Sequence, residues 1–490
     1  EQYAGSHRRQ PDLVCVPVKH FLPGLIALTL WWSDPSFGGT TGSLEGFVKD
    51  KTTGEPLVGA NVSLVQTKQG TTTDARGFFK IHNIRAGSYD VRISMIGFQT
   101  TTSKEIVILP DRRSQLKAML VESPIEMKAV EVTVERPLIQ TDITGTAYEI
   151  DADILIKLPV DNIQQVVGLQ PGTTAEGNIR GGKTRETIYL INGLPVQDVI
   201  QGGLGAEIPL SAILQMSVKT GGFDAEYGNA LSGVVNVITR TGAQDHEVSL
   251  RAVRDDLFGG TEVSRRREVE LYASGPIRRG SLSYLSASNL VLTDTRWWQD
   301  MQHFFDSPVR KELSGLGKID YLISPTRRLT GEVLYSLQRW RDYEFTWRYN
   351  LDGLPSRRRD SYRAAVLWSH SVSSHLFYSA SLSQFSLHSK IGKGSAQDMS
   401  LTPYDFDFFL LYITTGDRTW RADARQKVYT LKADVTNQIR TSHLVKAGFE
   451  LNQYDIDSDL VKMEPHDLFR QATGIRASAQ LQQSVPLLPA

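Results

Sequence analysis

The spacing most suggestive of chemistry in this sequence of 490 residues is Gly177 to Thr184, GNIRGGKT. It fits the phosphate-loop pattern, in which backbone N–H groups and a lysine hold the phosphates of a nucleotide. That chemistry needs a strand before the loop and a helix after it, so that the helix N-terminus faces the phosphates. Here the β-branched and aromatic run Glu186 to Ile191 predicts a strand after the loop. A nucleotide hydrolase is therefore only an alternative, which nucleotide binding lost in Lys183→Ala would support.

The other residue types that carry chemistry form no recognisable pattern. The sequence contains no His-x-x-Glu or His-Glu-x-x-His pair for zinc, and His82 stands alone between predicted strand residues, as expected of a surface or edge histidine. The single cysteine, Cys15, cannot form an intramolecular disulfide or a cysteine cluster for zinc. We therefore predict no catalytic residue, no metal site, no cofactor and no enzymatic activity.

Composition and charge narrow the class of protein. Lysine and arginine number 54, and aspartate and glutamate also number 54, so the formal net charge is zero and nucleic acid is not an expected partner. The chain contains 40 glycines and 40% hydrophobic residues, which indicates a β-rich folded protein rather than a disordered one. Its length predicts about two to four domains.

Residues 1–42 resemble a secretory signal. Basic residues at His7 to Arg9 precede an apolar run, Phe21 to Trp32, and a polar glycine-rich stretch follows. The run has 12 residues, too few for a transmembrane helix, which needs about 20. Export is predicted, with an N-terminal extension of no function as the alternative.

Residues 43–122 alternate short apolar runs with glycine turns, which predicts a small β-sandwich. Its expected core consists of apolar side chains on successive strands: Phe47, Val48, Ala60, Val62, Leu64, Phe79, Ile81, Tyr89, Val91 and Ile93. The spacing of Gly54-Glu55-Pro56-Leu57, Gly77-Phe78-Phe79 and Gly87-Ser88-Tyr89 resembles the carboxypeptidase regulatory-like domain, a transthyretin-like sandwich. The resemblance implies no peptidase chemistry.

Residues 147–242 carry the most specific motifs in the chain. The segments Ile179 to Gly182, Ile188 to Val196, Gly221 to Gly228 and Gly233 to Thr239 resemble, in order and spacing, the plug domain of TonB-dependent outer-membrane receptors. The resemblance implies an α+β plug inside a barrel. The positions that match the plug motif are Arg180, Gly181, Gly182, Asn192, Gly193, Gly222, Glu226, Tyr227 and Gly228.

Two features of the plug lead to structural expectations. The chain has Asn192 where the family often has aspartate, a mild change because both residues tolerate the positive φ of an Asn-Gly turn. A glycine-rich domain with short strands benefits from an enclosing wall. We expect Arg180, Arg185 and Glu226 to be either ion-paired to that wall or solvated.

Residues 123–146 form a linker with a short alternating run, Val130 to Val134, closed by Pro137. Such a run can pair with the sheet edge of another protein, or it can be the last strand of the sandwich. In receptors with this sandwich a similar Glu-Val-Thr-Val run, the TonB box, lies just before the plug. The resemblance therefore implies a TonB box at Glu131, Val132, Thr133 and Val134.

Residues 243–490 contain nine alternating runs that predict antiparallel strands: Glu247–Leu257, Glu268–Gly275, Ser281–Val291, Leu313–Ile323, Arg328–Leu337, Arg363–Ser371, His375–Leu387, Val428–Ile439 and His443–Tyr454. In the eighth run Tyr429 and Leu431 face one way and Thr430 and Lys432 the other, the pattern of a membrane barrel around a polar lumen. Soluble sandwiches alternate too. The links between runs alternate between short and long, which favours the barrel.

The two longest links, Gln338–Tyr362 and His388–Lys427, are rich in aromatic residues and arginine. Such side chains suit either ligand capture or the membrane-interface girdle. The candidates for ligand contact are Trp340, Trp347, Phe406 and Trp420.

The length of this last region bears on its completeness. A plugged barrel is associated with about 22 strands of about 9–11 residues each. Residues 243–490 number 248 and carry nine predicted runs. The expectation is a fragment that holds the N-terminal part of a transmembrane β-barrel.

The sequence thus predicts a mainly β protein made of a small β-sandwich, an α+β plug and part of an antiparallel transmembrane barrel. The resemblance implies a bacterial outer-membrane receptor, with its N-terminal domain in the periplasm and outer-membrane lipid around the barrel. TonB and its inner-membrane energising complex would drive import of a scarce solute. The plug lacks the signature of the glycan-importing branch, so a sugar polymer is not favoured, and a metal chelate, a vitamin and a peptide are left as candidate solutes. The alternative is a non-transporting surface or periplasmic β-rich binding protein.

Overall fold

The computed structural model describes residues 41–462 with short gaps, so the signal-like segment lies almost wholly outside the described residues. The gaps are residues 68, 110–111, 123–129, 134–145, 156, 175–176, 224–226, 229, 256–264, 374–375, 393–403, 408, 419 and 441–442. Within the described ranges, no helix is long and apolar enough to cross a membrane.

The first domain is a β-sandwich of two facing sheets. One sheet has the order β4-β1-β7 and the other β3-β2-β5-β6-β8. The strands are β1 (Thr41–Asp50), β2 (Asn61–Leu64), β3 (Gly70–Thr72), β4 (Phe78–Arg85), β5 (Gly87–Ser94), β6 (Thr101–Ile108), β7 (Arg113–Leu120) and β8 (Val130–Thr133).

Most of the predicted sandwich core is confirmed, because Val48, Val62, Val91 and Ile93 are fully buried. Phe47 is the exception. It is 42% exposed and packs its ring against Phe78 on the outside of the sheet, because successive side chains of a strand point to opposite faces and Val48 takes the inner one.

The second domain is built on a five-stranded sheet of order β11-β10-β13-β12-β9. Its elements are β9 (Thr146–Asp151), α1 (Ala152–Leu155), α2 (Ile163–Gly168), β10 (Thr187–Ile191), β11 (Leu194–Pro195), β12 (Ile213–Gly221) and β13 (Gly233–Thr239). A single 3-10 turn, Thr184–Glu186, separates the glycine-rich loop from β10. A strand therefore follows the loop, as predicted, and the helix N-terminus that a phosphate site needs is missing there.

The third region is a nine-stranded antiparallel sheet, here called the wall, in which each strand pairs with the next along the chain. All nine predicted strands are confirmed, most of them longer than expected. They are β14 (Glu247–Arg254), β15 (Arg267–Arg278), β16 (Leu282–Thr293), β17 (Arg310–Ser324), β18 (Arg327–Arg341), β19 (Ser356–Ser371), β20 (Leu376–Ile391), β23 (Trp420–Arg440) and β24 (His443–Lys462). The connections add α3 (Trp298–Met301) and a hairpin of β21 (Asp405–Asp407) and β22 (Tyr412–Thr415).

The two faces of the wall have opposite polarity. On β23, Tyr429 and Leu431 are 41% and 40% exposed on the outer face, whereas Thr430 and Lys432 are buried on the inner face. On β24, Phe449 is likewise exposed. The predicted direction of alternation is confirmed: apolar side chains point outward and polar side chains point inward.

The links between wall strands alternate in length, as predicted. The links at one end of the sheet, here called the short-turn end, are only two to four residues long: 279–281, 325–326, 372–375 and 441–442. The opposite, long-loop end carries residues 294–309, 342–355 and 392–419. The two longest links are shorter than predicted, because β18, β19, β20 and β23 extend into them.

Candidate functional site: the interface of plug and wall

The second domain packs against the inner face of the wall and shares a hydrophobic core with it. Plug residues such as Ile191, Met216 and Val237 belong to one buried cluster with wall residues. The wall contributes these apolar side chains from its inner face: Tyr272, Leu285, Ala287, Leu316, Leu334, Phe385, Leu387 and Val428. The expected enclosing wall is therefore present along this side of the domain.

A buried polar cluster fixes the β10–β11 hairpin of the plug to the wall. Arg363 of β19 donates from Nη1 to the carbonyl of Ile191 at 2.9 Å and to that of Leu194 at 3.5 Å. Its Nη2 is ion-paired with Oε1 of Glu332 on β18. Asn192 Nδ2 donates to the other carboxylate oxygen of Glu332 at 2.7 Å. We call Asn192, Glu332 and Arg363 the plug latch.

The hairpin turn explains why asparagine serves at position 192. Asn192 and Gly193 have φ values of 54° and 74°, as expected of the predicted Asn-Gly turn. The Asn192 amide donates to Glu332 and to Thr239 Oγ1, and its Oδ1 accepts from the Thr239 backbone N–H at 3.0 Å. An ionised aspartate has no donor for Glu332. The departure from the family pattern therefore completes the plug latch.

The charges of the plug latch are almost completely removed from water. The side chains of Arg363 and Glu332 are 0% and 1% exposed. Two such charges are costly to desolvate, and removing one partner leaves the other buried and uncompensated. Nearby, Lys318 of β17 donates to Thr239 Oγ1 at 2.8 Å and adds a second buried cation at the same edge of the plug.

Further contacts hold the plug loop that contains Gln197 to Val199 against the wall, toward its long-loop end. Gln426 on β23 donates to the Gln197 carbonyl at 2.8 Å and accepts from the Val199 N–H at 3.0 Å. Arg359 on β19 lies 3.5 Å from the buried carboxylate of Asp198. The plug is thus tied to the wall at both its hairpin and its loop.

The predicted plug-motif residues have mixed positions. Arg180, with φ 48°, donates to Thr146 of the plug itself at 3.1 Å. Tyr227 is buried and has Lys219 4.7 Å from its ring centre. Glu226 lies outside the described residues. The remaining motif glycines, Gly181, Gly182, Gly222 and Gly228, lie in turns and loops of the plug.

One of the two sequence expectations is that charged side chains of the plug form ion pairs with the wall. The observed ion pairs instead use arginines of the wall region. Among the described residues, neither Arg180 nor Arg185 makes an ion pair to the wall. Instead Arg266, Arg359 and Arg363 of the wall region reach toward acceptors of the plug, and Arg266 pairs with Asp161 at 2.9 Å. The plug arginines lie in exposed turns, where water solvates them as well as an ion pair would.

One plug carboxyl titrates unusually. Burial raises the pKa of Glu207 to about 7, and the neighbouring Glu312 carboxylate adds to this effect. Arg310 and Arg359 oppose it. Because the folded protein holds this proton more tightly than a glutamate with the ordinary pKa of 4.5, the stabilising contribution is complete below about pH 4.5 and is lost as the pH rises through about 7.

We therefore expect Glu207→Gln to remove part of the loss of stability between pH 5 and pH 7.5. The amide has no proton to lose, so the fall in melting temperature from pH 5 to pH 7.5 should be smaller in the variant than in the parent. Thermal unfolding of the purified protein in detergent measures this. Glu122→Gln, at an exposed site in the sandwich, is the control and should keep the parental pH dependence. Equal pH dependence in all three proteins would contradict the assignment.

Two of the aromatic residues predicted to contact ligand, Trp347 and Phe406, pack into a small hydrophobic core at the long-loop end. Trp347 is 3% exposed and belongs to a small core with Met301, Leu351 and Ile413, against which Phe406 packs. This cluster makes the long loops a folded layer. Their role in ligand contact stays a prediction.

The other two candidates, Trp340 and Trp420, lie in strand ends rather than in loops. Trp340 Nε1 donates to Asp342 at 3.1 Å. The guanidinium groups of Arg357 and Arg418 lie 4.8 and 5.3 Å from the centre of the Trp420 ring. Cation–π contacts of this kind fix the ring in place.

The predicted TonB box falls on β8, whose backbone is described only from Val130 to Thr133. There it runs parallel to β6, with Ser103 opposite Val132, as the edge strand of the sandwich. The backbone therefore agrees with the alternative that this run is the last strand of the sandwich. Val134 lies outside the described residues. The role of this run as a TonB box stays a prediction.

Sequence reasoning missed the wall members of the plug latch and the neighbouring Lys318. Glu332, Arg363 and Lys318 stand on inward positions of predicted strands, where a charged residue is a functional candidate by default. Their charge at those positions was the signal that could have found them. Within the described residues, no cluster of histidine, cysteine, aspartate and glutamate side chains could hold a metal ion.

Comparison with known proteins agrees with this arrangement of domains. Residues 44–132 match the CarboxypepD_reg-like domain, and residues 140–234 match the TonB-dependent Receptor Plug Domain. The TonB-dependent transporter Oar of Myxococcus xanthus is 22% identical over 245 residues, which is 46% of this chain and 23% of Oar. The TonB-dependent receptor SusC of Bacteroides thetaiotaomicron is 29% identical over 221 residues, 41% of this chain and 21% of SusC. The matches thus span less than a quarter of either relative.

Solved structures agree on the fold. FpvA of Pseudomonas aeruginosa, in complex with a pyoverdine and iron, superposes with a TM-score of 0.50 at 12% identity, over 66% of this chain and 44% of FpvA. This likeness concerns the fold alone. The chain is thus similar to the TonB-dependent receptors: it contains a carboxypeptidase regulatory-like sandwich and a receptor plug domain tied to an antiparallel wall, and its relatives are named for the same system.

Proposed function

We propose that this protein is an outer-membrane receptor that imports a scarce solute into the periplasm, with the plug as its gate. The observation that carries the proposal is the polarity of the wall. A folded plug covers its polar inner face, while apolar side chains of the same strands are exposed on its outer face. Apolar outside and polar inside is the pattern of a transmembrane barrel around a polar lumen.

The orientation follows from the connections between strands. Outer-membrane barrels have short periplasmic turns and long extracellular loops. The short-turn end would therefore face the periplasm, and the sandwich, which contacts that end, would lie there as well. The folded long-loop layer would face the outside and meet the solute, for which a metal chelate, a vitamin or a peptide is the proposed class.

The energy would come from the inner-membrane proton gradient, delivered by TonB and its energising complex. TonB would pair with the strand at Glu131 to Val134 by strand addition and pull on the chain ahead of the plug. Enzymatic chemistry has no part in this mechanism, since the family and fold are those of transporters and receptors.

The alternative, a non-transporting surface or periplasmic binding protein, is less favoured. It would leave the apolar outer face of the wall in water, and soluble monomers rarely expose contiguous apolar patches of more than a few hundred Å². Val333, Leu431 and Phe449, on three different strands, all belong to that face.

A peptide spanning Met127 to Pro137 tests the assignment of Glu131 to Val134 as a TonB box. It should bind the C-terminal domain of TonB, and Val132→Pro should weaken binding at least about tenfold, because proline lacks the N–H that strand pairing uses. Val132→Ile, which keeps that N–H, is the matched control and should bind like the parent. Isothermal titration calorimetry measures all three. No binding by the parent peptide, or equal binding by the proline variant, would refute the assignment of this run as a TonB box.

A further inference from the structure

The sandwich is docked into the short-turn end of the wall through an ion pair. Arg85, the last residue of β4, donates from Nη1 to Asp320 Oδ1 at 2.7 Å and from Nη2 to Thr330 Oγ1 at 2.6 Å. Thr330 Oγ1 in turn donates to Asp320 at 2.6 Å. The side chains of Arg85 and Asp320 are only 16% and 9% exposed. We call Arg85, Asp320 and Thr330 the sandwich latch.

Other contacts extend this docking across the wall. Asn83 Nδ2 donates to Ser371 Oγ on β19 at 2.9 Å. Lys80 Nζ donates to Gln438 Oε1 on β23 at 3.0 Å. One edge strand of the sandwich thus reaches four wall strands, β17, β18, β19 and β23, close to their short turns. Docking that broad positions the whole sandwich, whereas one surface ion pair would contribute little.

The docked sandwich also contacts the plug directly. Arg112, at the start of β7, is ion-paired with Glu149 of β9 at 2.8 Å. The side chains of this pair are 19% and 18% exposed. The sandwich is therefore held by both the wall and the plug.

A partly enclosed pocket of about 190 Å³ lies between the sandwich, the plug and the wall. Asn83 lines it from the sandwich, Asn192 and Gly193 from the plug, and Thr436 from the wall. His82 lines it too, so this predicted surface or edge histidine does lie on an edge strand but faces the cavity. A solute that passed the plug hairpin here would enter a chamber whose next boundary is the sandwich.

The two latches occupy adjacent inward positions on the same pair of wall strands. Lys318 of β17 is opposite Glu332 of β18, and these residues serve the plug. Two residues nearer the short turn, Asp320 is opposite Thr330, and these residues hold the sandwich. The two latches are therefore neighbours, with the sandwich outside the plug on the path toward the short-turn end.

We propose that the sandwich is a second closure of this receptor, in series with the plug, held by the sandwich latch at the short-turn end. Its purpose as a gate rests on the proposed transport function. The ion pair at Arg85 holds the sandwich across the short-turn side of this pocket beneath the plug hairpin, and the sandwich leaves the wall to uncover that side. The run from Val130 to Thr133 is a strand of this same sandwich, so a pull on that run acts first on the second closure.

Accessibility of the chamber tests the proposal in the full-length receptor in detergent. A reporter thiol is placed at Thr436→Cys in a Cys15→Ser background, and its reaction with a 5-kDa maleimide–polyethylene glycol is timed. We expect slow labelling in the parent, because position 436 is 7% exposed. Arg85→Asp, which sets two carboxylates against each other, should speed labelling at least tenfold. The swapped pair, Arg85→Asp with Asp320→Arg, should restore slow labelling.

Arg92→Asp is the matched control, an equal charge reversal at an exposed position on β5 in the other sheet of the sandwich. It should label as slowly as the parent, and equal rates in Arg85→Asp and Arg92→Asp would overturn the proposal. A second measurement tests the docking without the Arg85 variant, which could label quickly simply because it misfolds. With Arg85 intact, Asn83→Cys and Ser371→Cys should be bridged by a short bis-thiosulfonate reagent, and failure to cross-link would also overturn the docking. Neither measurement uses TonB or a solute, so each can succeed where the TonB-peptide test fails.

Discussion

Replacing Arg363 by alanine should lower the free energy of unfolding by about 3–5 kcal/mol and free the plug hairpin from the wall. The substitution leaves the Glu332 carboxylate, 1% exposed, without its counter-charge. It also removes the donors to the carbonyls of Ile191 and Leu194. Denaturant unfolding of the purified receptor measures the loss.

The control for this prediction is an ion pair in water. Arg279 and Asp245 are 3.8 Å apart on the wall and 85% and 90% exposed, so Arg279→Ala should change stability by less than about 1 kcal/mol. A double variant, Arg363→Met with Glu332→Leu, removes both buried charges and should recover the part of the loss that comes from the unpaired Glu332 carboxylate. If Arg363→Ala lowered the free energy of unfolding no more than Arg279→Ala does, the plug latch would not stabilise the contact between plug and wall.

The strands and their faces could be predicted because each depends on a local pattern. The alternation around Leu431 gave the direction of every side chain on β23, and Thr430 is buried while Leu431 is exposed, as expected. The Asn192-Gly193 turn was predictable for the same reason, since its backbone requires residues that accept positive φ. Strand ends were predicted less well. At Arg357 to Asp360 both faces carry polar side chains, so the alternation of apolar residues fades while β19 continues.

The latches could not be predicted because each joins residues far apart in the chain. Asn192 and Glu332 are 140 positions apart, and Arg85 and Asp320 are 235 apart. Local periodicity places each side chain on a face but does not choose its partner. The same limit applies to β4, where the alternation does not distinguish a polar side chain that faces water from one that faces the wall, such as Asn83.

Replacing Val333 by arginine should destabilise the receptor in lipid by about 2–4 kcal/mol, the cost of a cation near the midplane of an outer-membrane barrel. Val333 lies mid-strand on β18, 54% exposed on the outer face, opposite Gly317 and Ala364 on the neighbouring strands. In a water-soluble protein an exposed apolar-to-charged change of this kind usually stays within about 0.5 kcal/mol. Unfolding of the full-length receptor from lipid vesicles by denaturant measures the difference.

Phe409→Arg supplies the matched comparison, because Phe409 is 100% exposed in the longest link, away from the outer face of the wall. Its substitution should leave the unfolding free energy within about 0.5 kcal/mol of the parent. A large cost at Val333 together with none at Phe409 means that lipid, not water, covers the outer face. Equal small costs at both positions would refute the membrane assignment and favour the soluble binding protein instead, since only lipid makes an exposed arginine on that face expensive.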